Sequence, residues 1–125
     1  MRTKRRCHFP LLFLFVLLLQ GYAGFSQTTI INGPPGSRQF GYVTVLTNGN
    51  FVVRDPYYTE AGLQEIGAVY LYNGVTHMLI STLKGAKAYD RVGIFGIVAL
   101  NNGNYVVLSP EWDGTGISTN AGAAT

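Results

Sequence analysis

The sequence predicts an all-β fold built from repeated four-stranded antiparallel units, of which about one and a half are present. Leu46–Val53, with the sequence LTNGNFVV, returns 54 residues later as Leu100–Val107, with the sequence LNNGNYVV. A fixed period of this kind indicates an array of repeated units. Within each copy, β-branched and aromatic residues flank an Asn-Gly pair, which is typical of a β-hairpin. No segment keeps a helical period.

Composition agrees with a folded single domain. The chain has 125 residues, of which 47% are hydrophobic and 12% are charged. A disordered, highly charged chain is excluded by these values, and the length allows one domain at most.

Residues 1–26 are predicted to be a cleaved signal peptide. Four basic residues precede the apolar run at 11–19, and small residues follow the run; these are the three parts of a secretory signal. The run is too short for a stable membrane span, which needs about 20 apolar residues. We expect cleavage after Ser26, which leaves the mature domain 27–125 and a secreted or cell-surface location. Cleavage after Ala23 and an uncleaved signal anchor are the alternatives.

Removal of the signal peptide changes the charge balance. The whole chain carries a formal charge of +3, but residues 27–125 hold five Lys and Arg against six Asp and Glu. No basic cluster remains, so no nucleic-acid partner is predicted. Cys7 leaves with the signal, and the exported domain must be stabilised by its core without a disulfide.

Repeat one is predicted at residues 33–83 and holds two hairpins. In the first, Thr47-Asn48-Gly49 joins two strands, and the Asn-Gly pair predicts a two-residue turn in which both central residues have positive φ. The second hairpin turns at Asn73-Gly74. Residues 61–67 form one helical turn at most. The predicted strands are Tyr42–Leu46, Asn50–Val53, Ile66–Tyr72 and His77–Leu83.

Partial repeat two is predicted at residues 85–125. Its strands are Ile97–Leu100 and Tyr105–Leu108, and Gly122-Ala123 matches the start of a third strand at an offset of 55. Upstream, Phe40-Gly41 is matched with Val92-Gly93 at an offset of 52. We expect the chain to be a fragment of a larger repeat protein; association with other chains is the alternative. A single small sheet of this kind is not stable alone. In a β-propeller, such sheets protect their edges against neighbouring blades, so the repeat favours units of the β-propeller blade type.

The repeat resembles the FG-GAP-like repeats of integrin-alpha-type β-propellers, in the degenerate form found in bacterial exported surface proteins. The resemblance covers most of residues 33–125 and rests on LTNGNFVVRDPYY, IGAVYLYNG and LISTL. It implies a propeller fold and an adhesion role outside the cell. In calcium-binding members the first hairpin loop is rich in aspartate, but the loops at 47–50 and 101–104 contain no acid. Calcium needs several oxygen ligands with carboxylates among them, so no calcium and no other cofactor is predicted.

No catalytic residue is predicted. The mature chain has one histidine, His77, with no second histidine or cysteine at metal-ligand spacing. The serines at 81, 109 and 118 lie in no nucleophile-elbow sequence. Asp55, Asp90 and Asp113 lie in turn-rich stretches, where aspartate caps backbone amides; a cation or ligand role is the alternative.

A ligand platform is the one candidate site. Tyr57 and Tyr58 follow Pro56, and Trp112 follows Pro110 at the place of Tyr58. Aromatic rings in loops can bind sugars or peptides, or they can fill the seam between two repeats.

The predicted function is a noncatalytic binding or adhesion module, secreted or displayed at the cell surface. Its expected partners are further copies of the repeat or other blades, and an extracellular protein or glycan. The alternative is the scaffold portion of an exported enzyme whose catalytic domain lies beyond residue 125.

Overall fold

The computed structural model describes residue 24, residues 27–114 and residues 119–125. The predicted signal peptide therefore lies, apart from Gly24, outside the described residues, as does Ser118. The described part is all-β and contains no helix, so none of its segments is a helix long and apolar enough to cross a membrane. At the predicted helical turn the chain instead forms a tight turn closed by a bridge between Glu60 and Leu63.

The strands form two antiparallel sheets. We call residues 33–84 unit 1 and residues 85–125 unit 2. The strands of unit 1 are β1 (Tyr42–Val45), β2 (Phe51–Asp55), β3 (Ala68–Tyr72) and β4 (Leu79–Lys84), and they pair in chain order. The strands of unit 2 are β5 (Gly96–Ala99), β6 (Tyr105–Ser109) and β7 (Ala123–Ala124), also paired in chain order. The predicted strands are confirmed with their bounds shifted by one or two residues.

The first hairpin of each unit has a three-residue loop, so the predicted two-residue turn is wrong. The Leu46 N–H donates to the Asn50 carbonyl over 2.8 Å, and the Gly49 N–H donates to the Leu46 carbonyl over 3.0 Å. Gly49 and Gly103 have positive φ, at 86° and 84°, whereas Asn48 and Asn102 do not. This is a type I turn closed by a left-handed glycine. The Asn48 side chain accepts the Asn50 N–H over 3.1 Å, which favours this turn because it gives the asparagine a local partner.

Residues 39–58 of unit 1 correspond to residues 93–112 of unit 2 at an offset of 54. The Gln39 N–H donates to Asp55 Oδ1 over 2.9 Å, and the Gly93 N–H donates to Ser109 Oγ over 3.0 Å. The match of Phe40-Gly41 with Val92-Gly93 at an offset of 52 is therefore wrong. That match pairs two glycines with different surroundings. A Cβ added to Gly41 would meet open space, whereas a Cβ added to Gly93 would meet the Val69 side chain.

The sheet of unit 1 has two apolar faces, because successive strand residues point to opposite sides. On one face Val52 and Val69 are buried against Val92 and Val107 of unit 2. The opposite face is a second cluster, covered in part by two upstream residues, Ile31 and Phe40. Its buried members are Val53, Tyr58, Ile66, Ala68, Tyr70 and Tyr72. Units 1 and 2 thus pack face to face.

Candidate functional site

The seam between the two units is formed by backbone hydrogen bonds. The loop that connects β4 to β5 runs beside the residues that precede β3. The N–H groups of Tyr89, Arg91 and Val92 donate to the carbonyls of Gln64, Glu65 and Ile66 over 2.8, 3.1 and 3.1 Å. The approach is close because glycine lies at the seam: a Cβ on Gly67 would overlap the Val92 backbone nitrogen.

Asp90 holds the seam loop in place. Its buried carboxylate accepts the N–H groups of Ala86 and Lys87 over 2.8 and 2.9 Å, and that of Asp113 over 3.0 Å. The Asp113 carboxylate in turn accepts the Asn120 N–H over 2.8 Å. Asp55 accepts the N–H groups of Arg38 and Gln39. The prediction that these three aspartates cap backbone amides is confirmed.

A cluster around Arg91 lies on this seam and joins the two units. Arg91 Nε donates to Glu65 Oε2 over 2.8 Å, and its Nη1 donates to Glu111 Oε2 over 3.0 Å. The guanidinium carbon lies 5.5 Å from the ring centroid of Tyr57 and 5.8 Å from that of Tyr89, within the range of cation–π attraction. We call Tyr57, Glu65, Tyr89, Arg91 and Glu111 the Arg91 cluster.

The Arg91 cluster is accessible from solvent. Tyr89 is 52% exposed, and the side chains of Arg91 and Glu111 are about one-third exposed. The hydrogen bond to Glu65 raises the pKa of Arg91, so the guanidinium stays charged at any physiological pH. The cluster therefore presents aromatic faces, carboxylate acceptors and one delocalised cation on a single surface.

The backbone of the cluster is in an uncommon conformation. Glu65, Tyr89 and Arg91 have φ values of 52°, 68° and 42°. Left-handed conformations are uncommon for residues other than glycine and persist only where the surrounding structure holds them. The paired loops of the seam supply that constraint through their hydrogen bonds.

The residues of the predicted platform are divided by the structure. Tyr57 belongs to the Arg91 cluster. Tyr58 is only 4% exposed and packs edge-to-face on Tyr70, with ring centroids 6.4 Å apart. Trp112 is half-buried and packs against the core shared by the units. The platform stays a prediction, with Tyr57 and Trp112 as its more accessible members.

Tyr58 and Trp112 occupy the same position in successive units. The Tyr58 carbonyl accepts the Gly67 N–H over 3.2 Å, and the Trp112 carbonyl accepts the Gly122 N–H over 2.9 Å. Gly67 directly precedes β3 and Gly122 directly precedes β7, which agrees with the offset of 55 read from the sequence.

Sequence reasoning missed most of the Arg91 cluster. Glu65, Tyr89 and Arg91 lie outside the strongly matching segments of the repeat, and Glu111 is 20 residues from Arg91. The one available signal is that Tyr89 and Arg91 flank Asp90, which the sequence predicts to cap backbone amides.

The remaining candidates lie away from the seam. His77 lies in the turn between β3 and β4, with its ring centroid 6.3 Å from that of Phe51. Across residues 27–114 and 119–125, no three His, Cys, Asp or Glu side chains are grouped so that they could hold a metal ion. The first hairpin loops stack on each other, since Asn48 Nδ2 donates to the Gly103 carbonyl over 3.5 Å.

A protein-family model described as Repeat of unknown function (DUF5650) matches residues 45–94 and again residues 99–125. The two matches cover more than half of the chain, and they begin at the last residues of β1 and β5. The match shows the repeat but gives no assignment to the FG-GAP repeats. No curated protein and no solved structure matches the chain.

Proposed function

Because the chain belongs to the DUF5650 repeat family, we propose that it is a noncatalytic binding or adhesion module in a larger array of such repeats, exported to the cell surface or beyond it. The observation that carries the proposal is the Arg91 cluster. It gathers two tyrosine rings, one arginine and two glutamates from both units onto one accessible surface. A surface of this composition is suited to recognition.

In this proposal each unit is a blade similar to those of FG-GAP-like propellers. Support comes from the sequential antiparallel order β1-β2-β3-β4 and from the face-to-face packing of successive units. Blades of a propeller are four-stranded sheets that protect their edges against neighbours. Export is supported by the basic, apolar and small-residue pattern of residues 1–26.

The ligand class that fits the cluster best is a neutral glycan. Tyrosine rings offer flat apolar faces for the C–H side of a sugar, and the glutamates accept hydrogen bonds from hydroxyl groups. With two carboxylates against one guanidinium, the cluster carries a net negative charge, which disfavours anionic ligands.

Binding to an array of immobilised neutral oligosaccharides tests this function. The wild-type chain should bind a subset of the array, and Tyr89→Ala should lose at least tenfold of that binding because a ring of the cluster is removed. Tyr42→Ala is the matched control, since Tyr42 is equally exposed at 49% against 52% for Tyr89 but lies outside the cluster. Absence of binding, or equal loss in both variants, would contradict the proposal.

A further inference from the structure

Each unit has an outer sheet face on which no second unit packs in this structure, and we call these two faces the open faces. Ile31 and Phe40 cover the centre of the open face of unit 1, and its edges are exposed. The open face of unit 1 carries Val43 and Val45 on β1, which are 57% and 69% exposed, and Leu79 on β4. The open face of unit 2 carries Val98 on β5, which is 45% exposed, together with Val106 and Leu108 on β6. Exposed apolar sheet faces of this kind mark interaction surfaces.

The open face of unit 1 matches the face of unit 2 that is already buried between the units. With β1 and β5 in the same register at an offset of 54, Val43 corresponds to Ile97. Phe51 and Val53 correspond in the same way to Tyr105 and Val107. Ile97, Tyr105 and Val107 pack on unit 1, so a face of the same apolar character is already shown to bind a sheet of this repeat.

The open face of unit 2 matches the face of unit 1 that receives this packing. Val98, Val106 and Leu108 occupy the positions of Thr44, Val52 and Arg54. Thr44 and Arg54 are polar, and Arg54 donates to the carbonyls of Gly93 and Ile94 across the covered interface. The open face is therefore more apolar than its buried counterpart, which is the reverse of what exposure to water favours.

The hydrogen bonds between the hairpin loops can be repeated at the open ends. Across the covered interface, Thr47 Oγ1 donates to the Asn101 carbonyl and Asn48 Nδ2 donates to the Gly103 carbonyl. Asn101 and Asn102 stand at the positions of Thr47 and Asn48, and both carry amide donors. The carbonyls they would reach, at Thr47 and Gly49, lie on the exposed first hairpin of unit 1.

A cavity on the open face of unit 1 points to the same conclusion. It has a volume of about 280 Å³ and is lined by residues that include Tyr58, Tyr70 and Leu79. The buried Tyr70 hydroxyl has no hydrogen-bond partner among the described residues. A buried hydroxyl without a partner is destabilising, and a group from a packed neighbour would supply the acceptor.

We propose that copies of this chain associate head to tail, with the open face of unit 2 of one copy packed on the open face of unit 1 of the next, as unit 2 packs on unit 1 within one chain. The contact is heterologous, so it can continue from copy to copy. The inference goes beyond the proposed function, because it depends on the repeat faces and not on the Arg91 cluster; glycan binding can fail without affecting it.

Two aspartate substitutions, one on each open face, test the proposal. The mass of each variant of the full chain is measured by sedimentation equilibrium. Val43→Asp blocks the open face of unit 1 and Val98→Asp blocks that of unit 2, so each variant alone should have the monomer mass. An equimolar mixture should form dimers, since each variant retains the face that the other lacks. Val75→Asp is the matched control, because Val75 is 87% exposed in the β3–β4 turn, and it should associate like wild type. Circular dichroism checks that each variant is folded.

All variants carry the same N-terminal apolar run, so association through that run is common to the series. Equal masses for wild type, Val43→Asp and Val98→Asp would overturn the proposal. A mixture that stays monomeric would overturn it as well, because the intact face of one variant would then fail to bind the intact face of the other.

A disulfide trap gives an independent measurement in a Cys7→Ser background. Val43→Cys chains mixed with Val98→Cys chains should yield a cross-linked dimer on mild oxidation, because these side chains lie on the two faces that meet in the head-to-tail contact. Either variant alone should yield none. Cross-linked dimers from one variant alone, or none from the mixture, would contradict the head-to-tail geometry.

Discussion

Thr47 and Asn101 occupy the same position in the first hairpins of successive units, and they touch. The Thr47 hydroxyl donates a hydrogen bond shared between the carbonyls of Leu100 and Asn101, at 3.3 and 3.4 Å. Equivalent residues meet because the units are stacked with little displacement along their strands. The period of 54 residues in the sequence is thus visible in space as a row of aligned hairpin loops.

Gly67 should be intolerant of any side chain. Its φ is 74°, and an added Cβ would overlap the Val92 backbone nitrogen at the seam. Gly67→Ala is expected to lower the free energy of unfolding by about 3–4 kcal/mol, from left-handed strain together with the clash. Gly62→Ala is the control, since Gly62 has φ 80° but open space around it, and it should cost only about 1–2 kcal/mol. Urea denaturation measures both; equal losses would contradict the close approach at the seam.

The Asp55 side chain should stabilise the fold through two hydrogen bonds that it accepts from backbone N–H groups. Its carboxylate is fully buried and accepts the N–H groups of Arg38 and Gln39, each over 2.9 Å. Asp55→Ala is expected to cost about 3 kcal/mol, because both donors lose their acceptor in a buried site. Asp55→Ser should cost less, since Ser109 accepts the equivalent N–H of unit 2 with one hydroxyl. Thermal unfolding ranks the variants, and a serine variant no more stable than the alanine variant would be evidence against equivalent roles.

Stability should fall in alkali because of Tyr70. Burial raises the pKa of Tyr70 above its ordinary value of 10.0. Above pH 10 the unfolded chain releases the phenol proton while the folded chain retains it, so the free energy of unfolding decreases as pH rises. Tyr70→Phe should reduce this decrease, and it should raise the free energy of unfolding at pH 7, because it removes a buried hydroxyl that has no partner among the described residues. The residual slope comes in part from Tyr72, whose pKa burial also raises.

Urea titrations at pH 7, 9 and 10.5 measure this effect. Tyr42→Phe, at an exposed tyrosine, is the control and should keep the wild-type slope. Identical slopes for wild type and Tyr70→Phe would show that Tyr70 is not the group responsible.

The leader should be removed during export. A chain produced in an exporting bacterial host should have Gln27 as its first residue, with Gly24 as the alternative start. Intact-mass spectrometry of the exported protein distinguishes these two products. A product that keeps residues 1–23 would contradict the signal-peptide prediction.

The strands could be predicted from the sequence because the alternation of apolar and polar residues is a local feature, and the repeat shows it twice. Six of the strands follow from apolar alternation and from the turn residues between them. The turn type at Asn48-Gly49 could not be predicted, because two- and three-residue hairpins both use this pair and the Asn48 side-chain hydrogen bond decides between them. The Arg91 cluster could not be predicted either, since its five members come from three loops that meet only after the units pack.

The burial of Tyr58 has a similar cause. Tyr57 and Tyr58 are adjacent and equally aromatic, yet the first faces Arg91 and the second faces Tyr70. Which of two neighbouring rings is buried depends on the chain direction after Pro56, and local sequence does not fix that direction.

The two units form one cooperative stack through a shared core, and native-state hydrogen exchange tests this claim most directly. Val107 of unit 2 is 1% exposed and belongs to the same cluster as Val52 and Val69 of unit 1. Val107→Ala should lower the free energy of exchange by about 2 kcal/mol, and by the same amount for amides of β2, β3 and β6. A loss confined to β5 and β6, with full protection retained in β2 and β3, would contradict the claim.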